Sequence, residues 1–512
     1  MAINIFTGAT NQNYGTSTNW SLGVVPTATD GHIVTFDATS PNCTVNASNR
    51  FANNIDFTGY TNTITFTNAL TVSGNITLAP TMSIAGANVL AINNNGTITT
   101  NGVTWPNGFT FSGTSKTFTI VGTLTVFGIT SFSGATSTIV NGGTLSCYGS
   151  VTIANASHII SGTTQCNLNG TTTWTHISTS TFGLPLNINT LGTVTFSSAG
   201  LRYGGSGAVL TYTSGTVAGT KDLKIYSGCT INTSGMTWTT FTNAASVTIT
   251  LTSDLNISGS FTCTVNSLTI NGLFNVYVGG SIHRSTSGAF RGSATIVLNG
   301  TGNWTDVYPS SEWSINMTID TLGTIVLGSD IRFRTGLLKY VQGTVDFTTN
   351  SNVFTINQAA TTLDTGLMTF RTLVLNNTIT LNSTLRATNI QFGSGGLCTL
   401  LGSFGFIVNN FDFILTSRSL YLTAGNTYTI NSSMTCLAAT AGARNTIQSS
   451  TAAAAFLTLT YGATQDVRHC NATWINSSGG QTIYTSSGTL SNTVNWNVGV
   501  APTNQGNFFF LM

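Results

Sequence analysis

Leu168-Asn-Gly-Thr-Thr-Thr-Trp174 returns as Leu298-Asn-Gly-Thr-Gly-Asn-Trp304, and Ile188-Asn-Thr-Leu-Gly-Thr-Val194 returns as Ile319-Asp-Thr-Leu-Gly-Thr-Ile325. Leu210-Thr-Tyr-Thr-Ser-Gly-Thr-Val217 then matches Leu338-Lys-Tyr-Val-Gln-Gly-Thr-Val345, so the order of the markers is kept. Gly102-Val-Thr-Trp105, Gly235-Met-Thr-Trp238 and Met368-Thr-Phe370 form a further series. These markers recur at about 130 residues with a few residues of drift, the behaviour of a repeat array that tolerates loop insertions.

Around the markers lie strand-like runs, among them Thr63-Ile-Thr-Phe-Thr67, Thr117-Phe-Thr-Ile-Val121 and Ser246-Val-Thr-Ile-Thr-Leu251. Apolar residues alternate with Thr or Ser, the period of a strand with one buried face, and Gly, Asn or Ser follows closely. Many short strands of this kind suit a sandwich series, a barrel or a solenoid, and the ordered repetition selects the last. The expected fold is all-β, an elongated parallel β-solenoid (β-helix) with internal repeats of about 130 residues. A rung of roughly 20 to 25 residues gives five or six rungs per long repeat and about twenty in the chain. Residues 1–40 read as an N-terminal cap or attachment segment, 41–480 as the repeat region and 481–512 as a C-terminal cap.

Composition agrees. Charged residues make up 5% of the 512, against roughly 25% in ordinary domains, so the polar surface must come from Thr, Ser, Asn and Gly. With 40% apolar residues and a formal charge of +2, the chain is not of the disordered class. Helix formers are scarce: Lys116, Lys221, Lys224 and Lys339 are the lysines and Glu312 the single glutamate. The arginines are scattered, which argues against nucleic acid as a partner. The His283-Arg284 pair with nearby Arg291 reads as a solvated rung face. Met1-Ala-Ile-Asn-Ile-Phe6 has neither a basic n-region nor a sustained apolar h-region, so no secretion signal is read and folding in a cytoplasm is expected. Apolar stretches fall short of the ~18 residues of a spanning helix, so no membrane insertion is expected. The cysteines are dispersed without a CxxC pair and read as buried thiols, not zinc ligands.

Near the N-terminus stands Asn19-Trp20-Ser-Leu-Gly23-Val24-Val-Pro26-Thr27, echoed near the C-terminus by Asn495-Trp496-Asn-Val-Gly499-Val500-Ala-Pro502-Thr503. This NWxxGVxPT pattern occurs nowhere between. A Trp can cover an exposed core end and a Pro removes a donor from a strand edge, so Asn19, Trp20, Gly23, Pro26, Asn495, Trp496, Gly499 and Pro502 are candidates for capping or docking.

The stretch Asn19 to Asp30 with Ile33-Val-Thr-Phe-Asp37, the LNGTxxW rungs and Cys470-Asn-Ala-Thr-Trp-Ile-Asn-Ser-Ser-Gly-Gly480 together resemble β-helical bacteriophage virion proteins of the tail-fibre, tailspike and decoration type. The likeness is one of repeat style and reaches bacterial adhesins as well. It implies a structural protein located in the virion, assembled in the host cytoplasm, with other virion proteins as partners. It further implies a homo-oligomer, commonly a trimer, and contact with host surface glycans. No enzyme activity and no cofactor is expected. The rival expectations are an extracellular or cell-surface adhesin or filament subunit, and a glycan-degrading β-helix enzyme.

The enzyme reading rests on the carboxylates, since glycoside hydrolysis needs two of them roughly 5 to 10 Å apart. The densest set is Asp306, Glu312, Asp320 and Asp330, beside Trp304, Tyr308, Pro309 and Trp313. Of these, Trp304, Asp306, Tyr308, Glu312 and Trp313 are the possible glycan contacts, the rings stacking on a sugar while the acids bond its hydroxyls. Against this, Asp320 occupies the repeat position of Asn189, as a ladder residue would. Asp466-Val-Arg468-His469-Cys470 holds acid, base and thiol, but on a continuous strand Asp466, Arg468 and Cys470 share one face and His469 takes the other, so His and Cys do not pair. His32, His158 and His176 have no spaced partners for a metal site, and none is expected.

Overall fold

Val247–Leu251 alternates valine, isoleucine and leucine with threonine, and the three apolar side chains are buried while the threonines face out. A pleated strand sends successive side chains to opposite faces, so period-2 sequence becomes one core face and one outer face. In this computed structural model the described residues are 2–500 apart from 178, 266, 286, 309–311, 348–351, 360, 394–396 and 415–416. The strands are all short or interrupted, and the one helical element among the described residues is a 3-10 turn at Ser17–Asn19. No helix there is long and apolar enough to cross a membrane.

Two units are distinguished, Met1–Asn256 and Ile257–Met512. Each is a parallel β-solenoid. In the first, Leu70–Val72 pairs with Leu90–Ile92, which pairs with Phe109–Phe111, then Thr130–Phe132, then Val151–Ile153, every step parallel. In the second, Ile331–Phe333 passes to Val353–Ile356, Thr369–Leu375, Leu385–Phe392 and Phe406–Phe413 in the same manner. Register partners lie roughly 21 residues apart. The structural repeat is therefore one coil of that length, as expected for a rung of roughly 20 to 25 residues, and the expected repeat of about 130 residues is corrected to it.

What the longer spacing marks is a special coil. The strand Leu186–Phe196 shifts register around Asn189, and Trp313–Leu327 does so around Asp320. In the first, Thr190 Oγ1 donates to Gly170 O at 3.0 Å and accepts from Gly192 N at 2.9 Å. In the second, Thr321 Oγ1 donates to Gly300 O and accepts from Gly323 N, both at 2.9 Å. Tyr212 and Tyr340 then donate to Gly215 O and Gly343 O respectively. The repeated sequence thus encodes the same hydrogen-bonded bulge in each unit.

Inside the coils, like residues stack in rows. Phe111 and Phe132 lie 5.1 Å apart with planes 10° from parallel, and Phe36 and Phe57 repeat the arrangement at 4.9 Å and 18°. Outside, amide side chains bond the coil above: Asn54 Oδ1 accepts from Asn75 N at 2.7 Å, and Asn75 Oδ1 from Thr97 N at 2.8 Å. In the second unit Asn410 links Asn389 to Ser433, at 2.7 and 2.8 Å. These ladders satisfy the outer surface without charge. Corners use left-handed residues such as Asn49 and Asn101, where a short polar side chain tolerates positive φ. At Gly162, with φ +130°, a Cβ would also strike the Val140 carbonyl, so only glycine fits.

Because Phe132 also meets Phe182, at 6.0 Å, its removal leaves a hole shared by several coils. Phe132→Ala should destabilise the protein by about 3 to 5 kcal/mol, read as a lowered urea midpoint.

Candidate functional site

Gly302–Asp306 is a strand whose alternate residues Trp304 and Asp306 point inward, and Trp313 opens the next strand facing the same core. The two indoles meet edge to face, 5.6 Å apart at 79°. Both are closed to solvent, at 1% and 0% exposure, and Asp306 is at 2%. The expectation that Trp304, Asp306 and Trp313 present a surface to a sugar is therefore corrected: the pleat turns them into the core. Tyr308, 42% exposed, is the outward ring of the group, and Glu312 is half-buried. Pro309 lies outside the described residues.

The partner of Asp306 is a residue that the sequence reading assigned to a solvated face. Arg284 is fully buried and is the register partner of Asp306 one coil earlier, with which it forms an ion pair. Its guanidinium sits 5.1 Å from the Trp313 ring centroid, and Nη1 donates to Glu312 O at 2.8 Å. Trp313 Nε1 donates to Asp306 Oδ2 and Tyr308 N to Asp306 Oδ1, both at 3.1 Å. His283 and Arg291 do face outward. The signal for Arg284 was available: Ile282 and Arg284 share a face, and that face aligns one coil on with Trp304 and Asp306.

The other acids of the group are bonded as well. Glu312 meets Arg334 Nε at 3.2 Å and accepts from Asn357 Nδ2 at 2.8 Å. Asp320 accepts from Gln342 Nε2 at 2.9 Å, as Asn189 accepts from Ser214 Oγ at 3.0 Å, so the two hold the same ladder position. Asp330 accepts from Val353 N at 2.8 Å. The arrangement fixes one coil to the next. The Asp306 carboxylate is closed to solvent and bonded to Arg284, Trp313 and Tyr308.

At Asp466-Val-Arg468-His469-Cys470 the structure departs from the expected parity. His469 adopts φ +54° and turns a corner between the strands Thr464–Arg468 and Cys470–Thr473. Alternation restarts there, so Cys470 faces the core while Asp466 and Arg468 form an outward bidentate pair at 2.7 and 2.8 Å. His469 Nδ1 bonds Ser487 Oγ at 2.7 Å. A cleft of about 700 Å³ runs past this pair and is lined also by Gln465, Gln481 and Tyr484. Gln465 spans it, donating to Thr482 O and accepting from Tyr484 N.

All eight cysteines are buried thiols outside any disulfide. Burial pushes the thiols of Cys229 and Cys398 up to about 12, which keeps them neutral, and Cys398 Sγ donates to Asn377 O at 3.1 Å. Among the described residues no three His, Cys, Asp or Glu side chains converge as metal ligands would. His158 and His176 are core residues, and His32 lies 3.5 Å from Asp30.

The two Asn-Trp motifs do closely similar work inside their own units. Asn19 Oδ1 accepts from Thr10 N and Asn11 N, and its Nδ2 donates to Asn13 O. Trp20 Nε1 donates to Tyr14 O at 2.8 Å, its ring packed on Phe6, Tyr14 and Phe36. The segment runs antiparallel along Ile3–Ile5, with Thr7 N donating to Asn19 O and Ser21 N to Ile5 O. It thereby occupies backbone groups on that strand. Gly23 has φ +67° and closes a turn on Trp20 O, and Pro26 is buried. At the other motif Asn495 Nδ2 donates to Ser477 O and Gly480 O, both at 3.0 Å, and Trp496 Nε1 to Ser477 Oγ at 2.8 Å. Trp496–Val498 instead pairs parallel to Ile483–Thr485, and Gly499 N donates to Thr485 O. Pro502 lies outside the described residues.

No family model, curated protein or solved structure matches the chain.

Two measurements follow from the buried charges and rings. Arg284→Met leaves the buried Asp306 carboxylate without its counter-charge and should cost about 3 to 5 kcal/mol in denaturant unfolding, whereas Arg284→Met with Asp306→Leu should recover much of that loss. His176 is stacked on Trp174, neither ring nitrogen has a hydrogen-bond partner, and burial with the Arg202 charge lowers its pKa from 6.5 to about 3. Burial lowers His158 too. The unfolded chain then takes up protons that the folded one refuses, so stability is full above about pH 6.5 and falls as the pH drops toward 3. The loss should approach about 1.4 kcal/mol per pH unit for His176, and His176→Phe should flatten the profile of unfolding midpoint against pH by that share.

Proposed function

We propose that the chain is a structural protein of a bacteriophage particle, a fibre, spike or decoration subunit that associates with itself and other virion proteins and touches host surface glycans. The observation that carries this reading is how the outer surface is made. Asn, Ser and Thr side chains bond from coil to coil, as in Asn54 to Asn75 to Thr97, in a chain where charged residues are 5%. Such a surface needs no cofactor and no compensating ions, and it offers a protease few basic cleavage points in backbone already held in a ladder.

The chemistry inside the coils supports the same reading. The densest cluster of acids and aromatics is engaged in holding its own coils together through Arg284, Arg334 and Asn357. The Asn-Trp motifs use their amides and indoles within their own units, on backbone carbonyls and on the Ser477 hydroxyl, as a part built to stand at an interface or in the open would require.

The test is mass spectrometry of phage particles banded on a density gradient, with gold-labelled antibody against the chain in electron microscopy. Peptides of the chain should band with the particles in constant ratio, and gold should mark a density on the particle surface. Peptides that remain with the bacterial envelope would overturn the reading in favour of an adhesin. Depolymerisation of a polysaccharide by the purified chain would favour the enzyme.

A further inference from the structure

Cations in these coils face acids, hydroxyls or apolar residues; Arg50 opposes Leu70 and Arg468 opposes Leu437. Among the described registers Arg284 opposes Asp306, Lys339 opposes Asp364, and Arg332 opposes Thr355. In one of the described registers two cations meet: Arg202, on Leu201–Tyr203, is the direct partner of Lys224, on Asp222–Ile225. Neighbouring strands are roughly 4.8 Å apart, and like charges directly opposite destabilise a sheet. Neither cation takes part in an ion pair among the described residues.

Both converge on one ring. Arg202 Nη1 donates to the Tyr226 hydroxyl, its guanidinium carbon is 5.7 Å from the ring centroid, and Lys224 Nζ is 5.6 Å from the same point. Tyr226 thus holds the two cations together on the outer face while leaving their charge uncancelled, since a phenol face attracts a cation but does not neutralise it. Asp222 is the acid on this strand, and its Oδ1 accepts from Thr240 Oγ1 on the following coil at 2.8 Å. Thr242 stands opposite Lys224 on that coil.

We propose that Arg202, Lys224 and Tyr226 form a binding site for the carboxylate or sulfate group of an acidic polysaccharide. An anion placed between two cations removes the repulsion that the register imposes and gains charge-assisted hydrogen bonds from both. The size of the site selects a sugar over nucleic acid. A phosphate backbone is followed by cations at successive steps, whereas here the following coil offers Thr240 and Thr242, hydroxyls suited to a saccharide. The assignment names the sugar class for the host-surface contact proposed above and rests on that reading for its setting; the anion site itself is a property of these two coils.

The experiment is titration of the purified full chain with polygalacturonate, dextran sulfate, neutral dextran and a short DNA duplex, followed by calorimetry at low and at raised salt. One or both of the acidic polymers should bind, the preferred one showing whether carboxylate or sulfate is the natural group. Binding should weaken with salt, and neutral dextran and DNA should not compete. Arg202→Gln with Lys224→Gln should lower the affinity about tenfold or more, and Tyr226→Phe should lower it less, since the ring stays. Arg291→Gln, at an outward position in the other unit, should leave it unchanged. A matched melting curve confirms that the double variant is folded. The proposal is overturned if the wild type binds neither acidic polymer, if the folded double variant binds as the wild type does, or if DNA binds equally well at the same residues. Absence of the chain from phage particles would leave a positive binding result standing, and loss of binding would leave a positive particle result standing.

Discussion

Most strands described in these units give their backbone hydrogen bonds to the coil before and the coil after, roughly 21 residues away in either direction. A single strand has no stability of its own under that rule. A coil must keep its corners at fixed places so that each inward residue meets the inward residue of the next coil, because a slip of one position would turn the whole core face outward. Left-handed residues such as Asn101, Gly162 and His469 keep those places. An insertion is accommodated only where it can bulge away, as it does around Asn189 and Asp320, and there the Thr190 and Thr321 hydroxyls tie the bulge down.

The same rule explains how much of the fold was legible. Alternation in runs such as Val247–Leu251 states which side is core, and the abundance of short runs states that the fold is all-β. The expected rung of roughly 20 to 25 residues brackets the coil, but which residue meets which was harder to see because a row in the core conserves volume and not letters. Leu70, Leu90, Phe109, Thr130 and Val151 occupy one row, and no identity search links them. Letters recur where a specific hydrogen bond demands a specific side chain, at Thr190 and Thr321 or Tyr212 and Tyr340, so the visible spacing of about 130 residues reports the special coils and passes over the ordinary ones between them.

The candidate site was legible as a cluster and misread as a surface. Trp304 and Asp306 have the same parity, so an indole large enough to belong to the core carries the carboxylate in with it. What made the burial tolerable was a residue 22 positions earlier, Arg284, which only the coil length could have supplied. Parity also misled at Cys470, because strand alternation holds only between corners and His469 is one. In both places the local pattern was sound and the unknown was where the chain turned.

Charges are few in these coils, and the placement of some has an identifiable reason. An inward cation requires an acid on the adjoining coil at the matching position, as Arg284 has in Asp306, or burial would expel it. An outward cation is under no such compulsion, since water and salt screen it, and the fold gains nothing from placing a second beside it. The pairing of Arg202 with Lys224 therefore has no account in the stability of the coils. Its partners lie on consecutive coils, where the register alone decides that they meet, and Tyr226 is positioned to keep them at the surface together. In a structure that elsewhere replaces charge with Asn and Thr ladders, a feature that works against folding is most economically explained by something it binds.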